Sequence, residues 1–566
     1  MLSYPFLLLL DTDKIKDYVF ASSKLKEIRG ASMLLHYLNT NVSRKIIYRT
    51  LGLPEDFNQD ENERFRIIYL DGGSGKVEFL DKDDAIRCGQ AIADAYARWT
   101  KTASLSWIVT DIDQDHYYES VAKGEFQLRL KKQEPSPDGQ AYQLGVFHRC
   151  RHNEMDIVEN IDSHFYEVKQ VKAAYEALSR LEEEAFAKVG PAAIIKRAFY
   201  SYYRQDYEDM SVISRLRRCY SNVRFEFPKQ MSVIGEADGS GYVGLIYMDG
   251  NSMNTVLRSL SKADSYRRFS RRLKEAIERA LVETVMQVYP PDRLPELVNA
   301  DEDEAEEANG KTTVLPVELV LAAGDDLIVI VPATKAMTFA STFLEKFSRY
   351  TTAIIEDQPE CLTMSAGIAI AKSSFPIKYL VPFAEQLLKS AKKKNYERRL
   401  HREKEWNRLS TLDYMVVTMS SNPDLPTIRQ EQLTRTKDCI RYELTVRPFD
   451  WTEWKELERI IETMKGSPTP FPHTKIKWLY HVHFMEEWEG EYYFLKCFAN
   501  LDKCHKKALR DVYRLFAGEQ CTSHWYEKEK GVYASPLIDF FEIYPFIEGT
   551  SAHQTAAHKE EEEHCG

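Results

Sequence analysis

One order of predicted elements occurs twice along this chain, and this duplication constrains the fold more than any other feature. The order is strand, helix, hairpin with a glycine-containing turn, helix and strand, over residues 4–110 and again over 242–369. The first hairpin turns at residues 71–75 and the second at residues 323–326. Strands and helices in this order predict an α/β (α+β) fold with two similar domains.

The rest of the chain divides around these two copies. We predict a first domain over residues 1–150, a helical connector over 151–225, a second domain over 226–410 and a C-terminal α+β domain over 411–550. The last segment, 551–566, is polar and contains four consecutive glutamates, so we expect it to be disordered. The length of 566 residues agrees with about four structural units.

Charge and cysteine content exclude several classes of protein. A net charge of −11 disfavours a dedicated nucleic-acid binder, which needs cations to neutralise phosphates. No apolar run approaches the roughly 18 residues of a membrane-spanning helix, and the run at 6–10 is too short and wrongly flanked for a signal peptide. The 9 cysteines include no CxxC pair, which fits reduced thiols. The sequence therefore predicts a cytoplasmic protein without membrane contact.

Three aspartates of the second copy form the strongest candidate for a chemical site. Asp249 ends an apolar strand, and Asp325 and Asp326 lie in the turn between two strands that are apolar on both faces. We therefore expect these two strands to lie centrally in the sheet. Alternate strand residues point to opposite faces, so one of the paired aspartates can share a face with Asp249.

Carboxylates that converge in this way need a cation. An all-oxygen set suits Mg²⁺ or Mn²⁺, and two such ions can hold the attacking and leaving oxygens of a phosphoryl transfer. We therefore predict a two-metal site with Asp249, Asp325 and Asp326 as ligands. The alternative is that Gly-Asp-Asp is ordinary turn chemistry, because glycine and aspartate favour turns.

Small residues and one lysine are candidates for nucleotide binding. Gly250, Asn251 and Ser252 open a predicted helix, whose free N–H groups and small side chains suit a phosphate. Gly324 in the hairpin turn belongs to the same set. Lys392 borders the apolar stripe of a later helix and could neutralise a polyphosphate, although a lysine at such a border is often simply solvated.

The first copy lacks the acidic pair. Asp11 and Asp13 end its first strand, but its hairpin contains glycines and a serine where the second copy has aspartates. Two interpretations stay open here. One is a second nucleotide pocket that binds without catalysing, and the other is a strand end with solvated carboxylates.

Several segments resemble the large subunit of type III CRISPR effectors. The second copy resembles that family's second palm domain at YMDGNSM (247–253), AGDD (323–326), MSAGIAIA (364–371), FPI (375–377) and AEQLLKSAK (384–392). Residues 17–32 resemble the opening of its first, degenerate palm domain. The family usually has two glycines where this chain has Ala323 and Gly324, and no His-Asp dipeptide occurs, so we expect no nuclease domain of that type in these residues.

This resemblance implies two ferredoxin-like palm domains that face each other, and a nucleotidyltransferase that makes a cyclic or linear oligonucleotide signal. The implied product is oligoadenylate from ATP, in antiviral defence. Carried over by position, Asp249 and Asp325 would ligate metal, and Asp326 would assist as a ligand or help activate the attacking hydroxyl. Asn251 and Ser252 would lie near the nucleotide.

The resemblance also implies partners. They are nucleoside triphosphates, other CRISPR effector subunits or target RNA, and a downstream effector protein that responds to the nucleotide signal. A second interpretation is a non-catalytic or RNA-triggered effector subunit, or a nucleotide-binding scaffold. A third, a template-dependent polymerase or primase, is disfavoured by the acidic charge balance.

Overall fold

The computed structural model describes most of the chain. It covers residues 4–113, 116–133, 191–206, 211–260, 262–299, 310–352, 354, 361–400, 409–418, 424–469, 471–518 and 523–549. The predicted disordered tail at 551–566 and most of the predicted connector at 151–225 lie outside these residues. The connector residues within them form two helices, as the sequence predicts.

Four sheets organise the described residues. Their strands are β1 (Phe6–Thr12), β2 (Phe65–Asp71), β3 (Ser74–Phe79), β4 (Leu105–Asp111), β5 (Tyr242–Gly250), β6 (Glu296–Val298), β7 (Lys311–Thr313), β8 (Glu318–Ala323), β9 (Asp326–Pro332), β10 (Met364–Lys372), β11 (Thr411–Val416), β12 (Thr434–Lys437), β13 (Ile440–Glu443), β14 (Phe449–Asp450), β15 (Tyr526–Glu529) and β16 (Val532–Ala534).

Helices cover the sheets and connect the strands. The α-helices are Ile15–Val19, Leu25–Tyr37, Ser43–Thr50, Lys82–Thr100, Tyr117–Lys132, Pro191–Asp206, Ser211–Cys219, Met231–Glu236, Met253–Ser259, Ala263–Val288, Ala333–Tyr350, Ile377–Leu400, Leu425–Glu431, Trp451–Lys465, His473–His481, Glu487–Ala499, Lys503–Ala517 and Leu537–Ile543. None of the helices in the described ranges combines the length and the apolar character that crossing a bilayer requires.

The predicted duplication is confirmed by the order of the strands. The first sheet runs β2-β3-β1-β4, and the second contains the matching series β8-β9-β5-β10. All neighbours within each series are antiparallel, and helices follow the first and third strands of each copy. The chain therefore has the predicted α/β fold with two ferredoxin-like domains.

The second sheet continues past the domain boundary predicted at residue 410. Strand β11 pairs with β10 in parallel, and the short β14 pairs with β11, which makes this sheet six-stranded. Leu412 and Tyr414 of β11 are completely buried. Pairing with β11 satisfies the backbone groups that β10 would otherwise present at an exposed sheet edge.

One predicted strand position is wrong. Strand β9 lies inside the second sheet, but β8 is an edge strand and not a central one. It is nevertheless covered, because Val320 is fully buried and Glu318 pairs with Arg29 from a helix of the first domain. The apolar character of β8 on both faces therefore reflects packing between the two domains.

The third sheet has the order β12-β13-β16-β15 and belongs to the C-terminal region, and the fourth is the two-stranded sheet of β6 and β7. The helix Trp451–Lys465 of this region follows Asp450, whose carboxylate accepts hydrogen bonds from the N–H groups of Thr452 and Glu453. This capping stabilises the first turn of the helix.

Gly367 lets the helix Ile377–Leu400 pack directly on β10. A Cβ atom at this position would lie against the backbone of Ala384 and Leu388, which cannot move aside as a side chain would. We expect Gly367→Ala to lower the free energy of unfolding by about 2–3 kcal/mol through overpacking. Gly310→Ala is the matched control, because none of the atoms in the described ranges lies within 4 Å of its Cβ position. Equal melting temperatures for the two variants in thermal denaturation would contradict this prediction.

Candidate functional site

Two of the three predicted aspartates lie side by side on one face of the second sheet. Strand β5 pairs with β9 so that Met248 faces Leu327, and the next pair in this register is Asp249 and Asp326. Directly opposed residues of antiparallel strands have Cβ atoms about 5 Å apart and point to the same face. The register therefore brings the carboxylates of Asp249 and Asp326 together, as the sequence predicts for one of the pair.

The third aspartate lies in the turn. Ala323 pairs with Asp326, so Gly324 and Asp325 are the two residues of the hairpin loop. Only Gly324 has a positive φ, of 63°. Ala323 is an ordinary strand residue, so the alanine that replaces the family's usual first glycine places no strain on the backbone.

Gly250 leaves room for the carboxylate of Asp325. A Cβ atom at position 250 would lie 2.8 Å from Asp325 Oδ2. Gly250 therefore acts by its small size, and its carbonyl oxygen accepts a hydrogen bond from Lys392 at 3.3 Å.

Crowding of these carboxylates disfavours their ionised forms. Burial, followed by the charges of Asp249 and Asp326, raises the pKa of Asp325 to about 7. Burial and Asp249 raise the pKa of Asp326 to about 6, although Lys16 and Lys392 oppose the shift. Shifts of this size and origin are typical of functional sites.

Glu385, Lys389 and Lys392 of the helix Ile377–Leu400 are four and three residues apart, so they form one stripe along this helix. Lys392 makes an ion pair with Asp249, and Lys389 makes one with Glu385 at 3.0 Å. Glu385 also accepts a hydrogen bond from Lys16, which belongs to the first domain. Although burial raises the pKa of Glu385, the hydrogen bonds from Lys16 and Lys389 hold it below its usual value.

The structure places Asn251 and Ser252 differently from each other. The Asn251 side chain is buried, donates to Thr363 Oγ1 at 3.1 Å and accepts from Ser365 Oγ at 2.7 Å. It thus ties the end of β5 to β10. Ser252 has a positive φ of 56° and precedes the helix Met253–Ser259. Direct contact of either side chain with a nucleotide stays a prediction.

The first domain has a counterpart of this site. Asp11 pairs with Ser74 across β1 and β3, which is the register position that Asp249 and Asp326 occupy in the second domain. Lys132, from the helix after β4, makes ion pairs with Asp11 at 2.6 Å and with Asp13 at 3.3 Å. A lysine thus holds the strand-end aspartate in both domains, but Gly73 and Ser74 of the first hairpin stand where the second hairpin has Asp325 and Asp326.

The chemistry of the donor set fits Mg²⁺ or Mn²⁺. Three carboxylates supply only oxygen ligands, which these ions prefer, and a divalent ion would relieve the repulsion that raises the pKa values of Asp325 and Asp326. Within the described ranges, however, no three Asp, Glu, His or Cys side chains are grouped so as to hold one ion together. Lys392 occupies a carboxylate oxygen of Asp249. The two-metal site therefore stays a prediction.

The raised pKa values make stability depend on pH. In the unfolded chain an aspartate has a pKa near 3.9, whereas Asp325 has one of about 7 in the folded protein. Between these values the folded state binds more protons, so without metal the free energy of unfolding falls as pH rises from about 4 to 7. We expect Asp325→Asn to be more stable than the wild type at pH 8 by about 1–3 kcal/mol.

Thermal denaturation of both proteins in chelator, at intervals from pH 4 to pH 8, measures this effect. The difference in melting temperature between variant and wild type should grow as pH rises and then level off above about 7. A constant difference over this range would show that the Asp325 carboxyl is ionised throughout.

Sequence reasoning missed two residues of the site, Lys16 and Glu385. Lys16 lies 3.0 Å from Glu385 across 369 positions of the chain, and its Nζ atom is 4.6 Å from the centroid of the Tyr247 ring. Burial, followed by the neighbouring carboxylates, raises the pKa of Tyr247. A spacing pattern could have indicated Glu385, which stands four and seven positions before two lysines. No local signal marks Lys16.

Comparison with solved structures shows the fold. A Csm1-Csm4 cassette in complex with pppApA matches with a TM-score of 0.53 at 13% identity, covering 96% of this chain and 70% of the other. A cassette in complex with cA4 covers 85% of this chain with a TM-score of 0.48 and 13% identity, and this chain spans 62% of its length. Csm1 of T. onnurineus gives a TM-score of 0.48 at 13% identity, with 85% and 61% of the two chains covered.

Sequence comparison is more specific for the second domain. Curated proteins gave no significant match. A family model described as Cas10/Cmr2, second palm domain, matches residues 242–400. These limits enclose β5, the acidic hairpin, β10 and the helix that carries Lys392. Residues 242–400 of this chain therefore match the second palm domain of the Cas10/Cmr2 family, as their resemblance to the large subunit of type III CRISPR effectors predicts.

Proposed function

We propose that this protein is a metal-dependent nucleotidyltransferase that joins ATP into a cyclic or linear oligoadenylate signal for antiviral defence. The observation that carries the proposal is the group of Asp249, Asp325 and Asp326 on a palm domain, with lysines of one helix beside it. Such a site combines an acidic centre for divalent cations with positive charge for a polyphosphate.

In the proposed reaction a ribose hydroxyl of one nucleotide attacks the α-phosphate of another. A bond forms between the hydroxyl oxygen and the α-phosphorus, the bond to the bridging oxygen breaks, and pyrophosphate leaves. Divalent ions held by the three aspartates would supply electrostatic stabilisation of the phosphates.

The side chains have distinct parts in this reaction. A carboxylate oxygen of Asp326 either accepts the proton of the attacking hydroxyl or assists as a metal ligand. Lys392 and Lys389 orient the polyphosphate by charge, with Lys392 exchanging Asp249 for phosphate oxygens. Gly250 and Gly324 let the substrate approach the backbone at the strand end.

The related structures support the choice of substrate and partners. They include Csm1-Csm4 cassettes in complex with cA4, cA3, AMPPNP, pppApA and pppApApA. By analogy we propose ATP as the substrate, another CRISPR effector subunit or target RNA as partner, and a downstream effector protein as the receiver of the signal.

The test is incubation of the protein with Mg²⁺ or Mn²⁺ and each of the four ribonucleotides, with products resolved by liquid chromatography and mass spectrometry. The variant Asp325→Ala/Asp326→Ala runs in parallel. We expect oligoadenylates that are absent with the variant. Products that persist in the variant would contradict the proposal.

A second candidate function is a nucleotide-binding scaffold, or an effector subunit that is triggered by RNA. The observation that favours it is the ion pair between Lys392 and Asp249, which competes with metal binding at that carboxylate. Nucleotide binding without product, with any added target RNA, would favour the scaffold. Product that forms only when RNA is added would favour the triggered subunit.

A further inference from the structure

Lys16 brings a positive charge from the first domain to the carboxylates of the second. It lies in the short helix Ile15–Val19, which follows β1. Its Nζ atom donates to Glu385 Oε2 at 3.0 Å and lies over the Tyr247 ring, 4.6 Å from the ring centroid. Tyr247 is two residues before Asp249 on β5, so both side chains lie on the same face of the sheet.

Lys16 is the third lysine near the acidic site. Lys389 and Lys392 approach the site from the helix Ile377–Leu400, whereas Lys16 comes from the other domain. Its charge acts on the acidic centre, because Lys16 and Lys392 oppose the rise in the pKa of Asp326. The Lys16 side chain is 35% exposed, so a ligand can reach it.

The charges around Glu385 are unequal. Lys16 and Lys389 both pair with this one carboxylate, at 3.0 Å each. Lys16 therefore shares this partner with Lys389, and a partly exposed ion pair of this kind contributes little stability by itself. A polyphosphate, by contrast, offers several oxygens to such a group.

We infer that Lys16 binds the polyphosphate of the nucleoside triphosphate that the second domain holds, and that Glu385 keeps Lys16 in position until the nucleotide arrives. The inference rests on the proposed function and deepens it. It makes the phosphate site a joint product of the two domains, since Lys16 comes from the first domain and Lys389 and Lys392 come from the second. An ordinary salt bridge between domains is the competing explanation.

The test compares the binding of two nucleotides by calorimetry, in Mg²⁺ and with the full chain. The probes are α,β-methylene-ATP, which resists transfer at the α-phosphate, and AMP, which lacks the polyphosphate. The variants are Lys16→Met, Lys16→Arg and Glu385→Gln. Lys14→Met is the matched control, because it removes one charge from an exposed side chain two positions away.

We expect Lys16→Met to weaken binding of the triphosphate analogue about tenfold, as the loss of one charge-assisted contact implies. Its affinity for AMP should change less than about twofold. Lys16→Arg should retain affinity for the analogue within about threefold, because arginine keeps the charge. Glu385→Gln should tighten binding of the analogue, because it releases Lys16 from its carboxylate partner.

Lys16→Met and Glu385→Gln distinguish the inference from an ordinary salt bridge, because the inference expects them to change nucleotide affinity in opposite directions. If Lys16 only joins the domains, Lys16→Met and Glu385→Gln will change nucleotide affinity in the same direction, or Lys16→Met will behave as Lys14→Met does. Either result overturns the inference and leaves the proposed function intact. Failure of the wild type to bind the analogue at all would overturn the proposed function and the inference with it.

Discussion

Asp249→Asn is expected to lower oligonucleotide formation by about 100- to 1,000-fold, the scale of loss when a central electrostatic group of an active site is removed. Asp249 stands beside Asp326 in the strand register, and its carboxylate contributes to the raised pKa values of Asp325 and Asp326. Asparagine has a similar shape but lacks the charge that a divalent cation needs. The rate of product formation from ATP in Mg²⁺ is the measurement.

Asp11→Asn is the matched control for this variant. Asp11 has the same place in the first sheet and the same kind of lysine partner, but the neighbouring hairpin has Gly73 and Ser74 where the second has aspartates. We expect this variant to form product within about tenfold of the wild type, because one strand-end carboxylate alone does not make a two-metal site. Equal losses from both variants would show that the chemistry does not depend on the second palm domain alone.

Stability provides a second readout of Asp249→Asn. Removing one of three crowded carboxylates lowers their mutual repulsion, so the melting temperature in chelator should stay the same or rise at pH 8. An inactive variant that also melts much earlier would mean that Asp249 serves the fold, through its ion pair with Lys392.

Arg29→Met is expected to lower the free energy of unfolding by about 3–5 kcal/mol, the usual cost of leaving one charge of a buried pair without its partner. Arg29 and Glu318 have side-chain exposures of 8% and 1%, and Arg29 Nε donates to Glu318 Oε1 at 2.5 Å. Burial raises the pKa of Glu318, and without Arg29 this carboxyl faces the desolvation cost alone. Thermal and urea denaturation measure the effect.

The double variant Arg29→Met/Glu318→Met distinguishes the effect of the charges from the effect of packing. Replacing both charges with apolar groups removes the unpaired carboxylate, so we expect it to recover most of the stability that Arg29→Met loses. A double variant as unstable as the single one would indicate that the packing of Arg29, rather than its charge, holds the two domains together. Glu318 begins β8, the strand that leads into the acidic hairpin. We therefore expect the affinity for nucleotide to fall in Arg29→Met and to recover in the double variant.

The fold was predictable where short stretches of sequence decide the structure. The apolar runs of β5 and β9 and the positive φ of Gly324 depend on neighbouring residues, so the hairpin with its aspartates could be recognised without tertiary information. The same holds for the helix at 451–465, which begins at a capping aspartate. The duplicated order of elements then predicted two similar sheets, and the strand register bears this out.

Contacts between distant residues were not predictable in this way. That β8 is a covered edge strand, that β11 joins the second sheet, and that Lys16 reaches Glu385 all follow from how separate units pack. Sequence by itself determined the duplicated order of elements and the position of the three aspartates at a strand end and a hairpin, because periodicity and turn chemistry are local properties. Only the tertiary structure decided which cations surround those aspartates, because a side chain that arrives from the other domain leaves no pattern near the residues it meets.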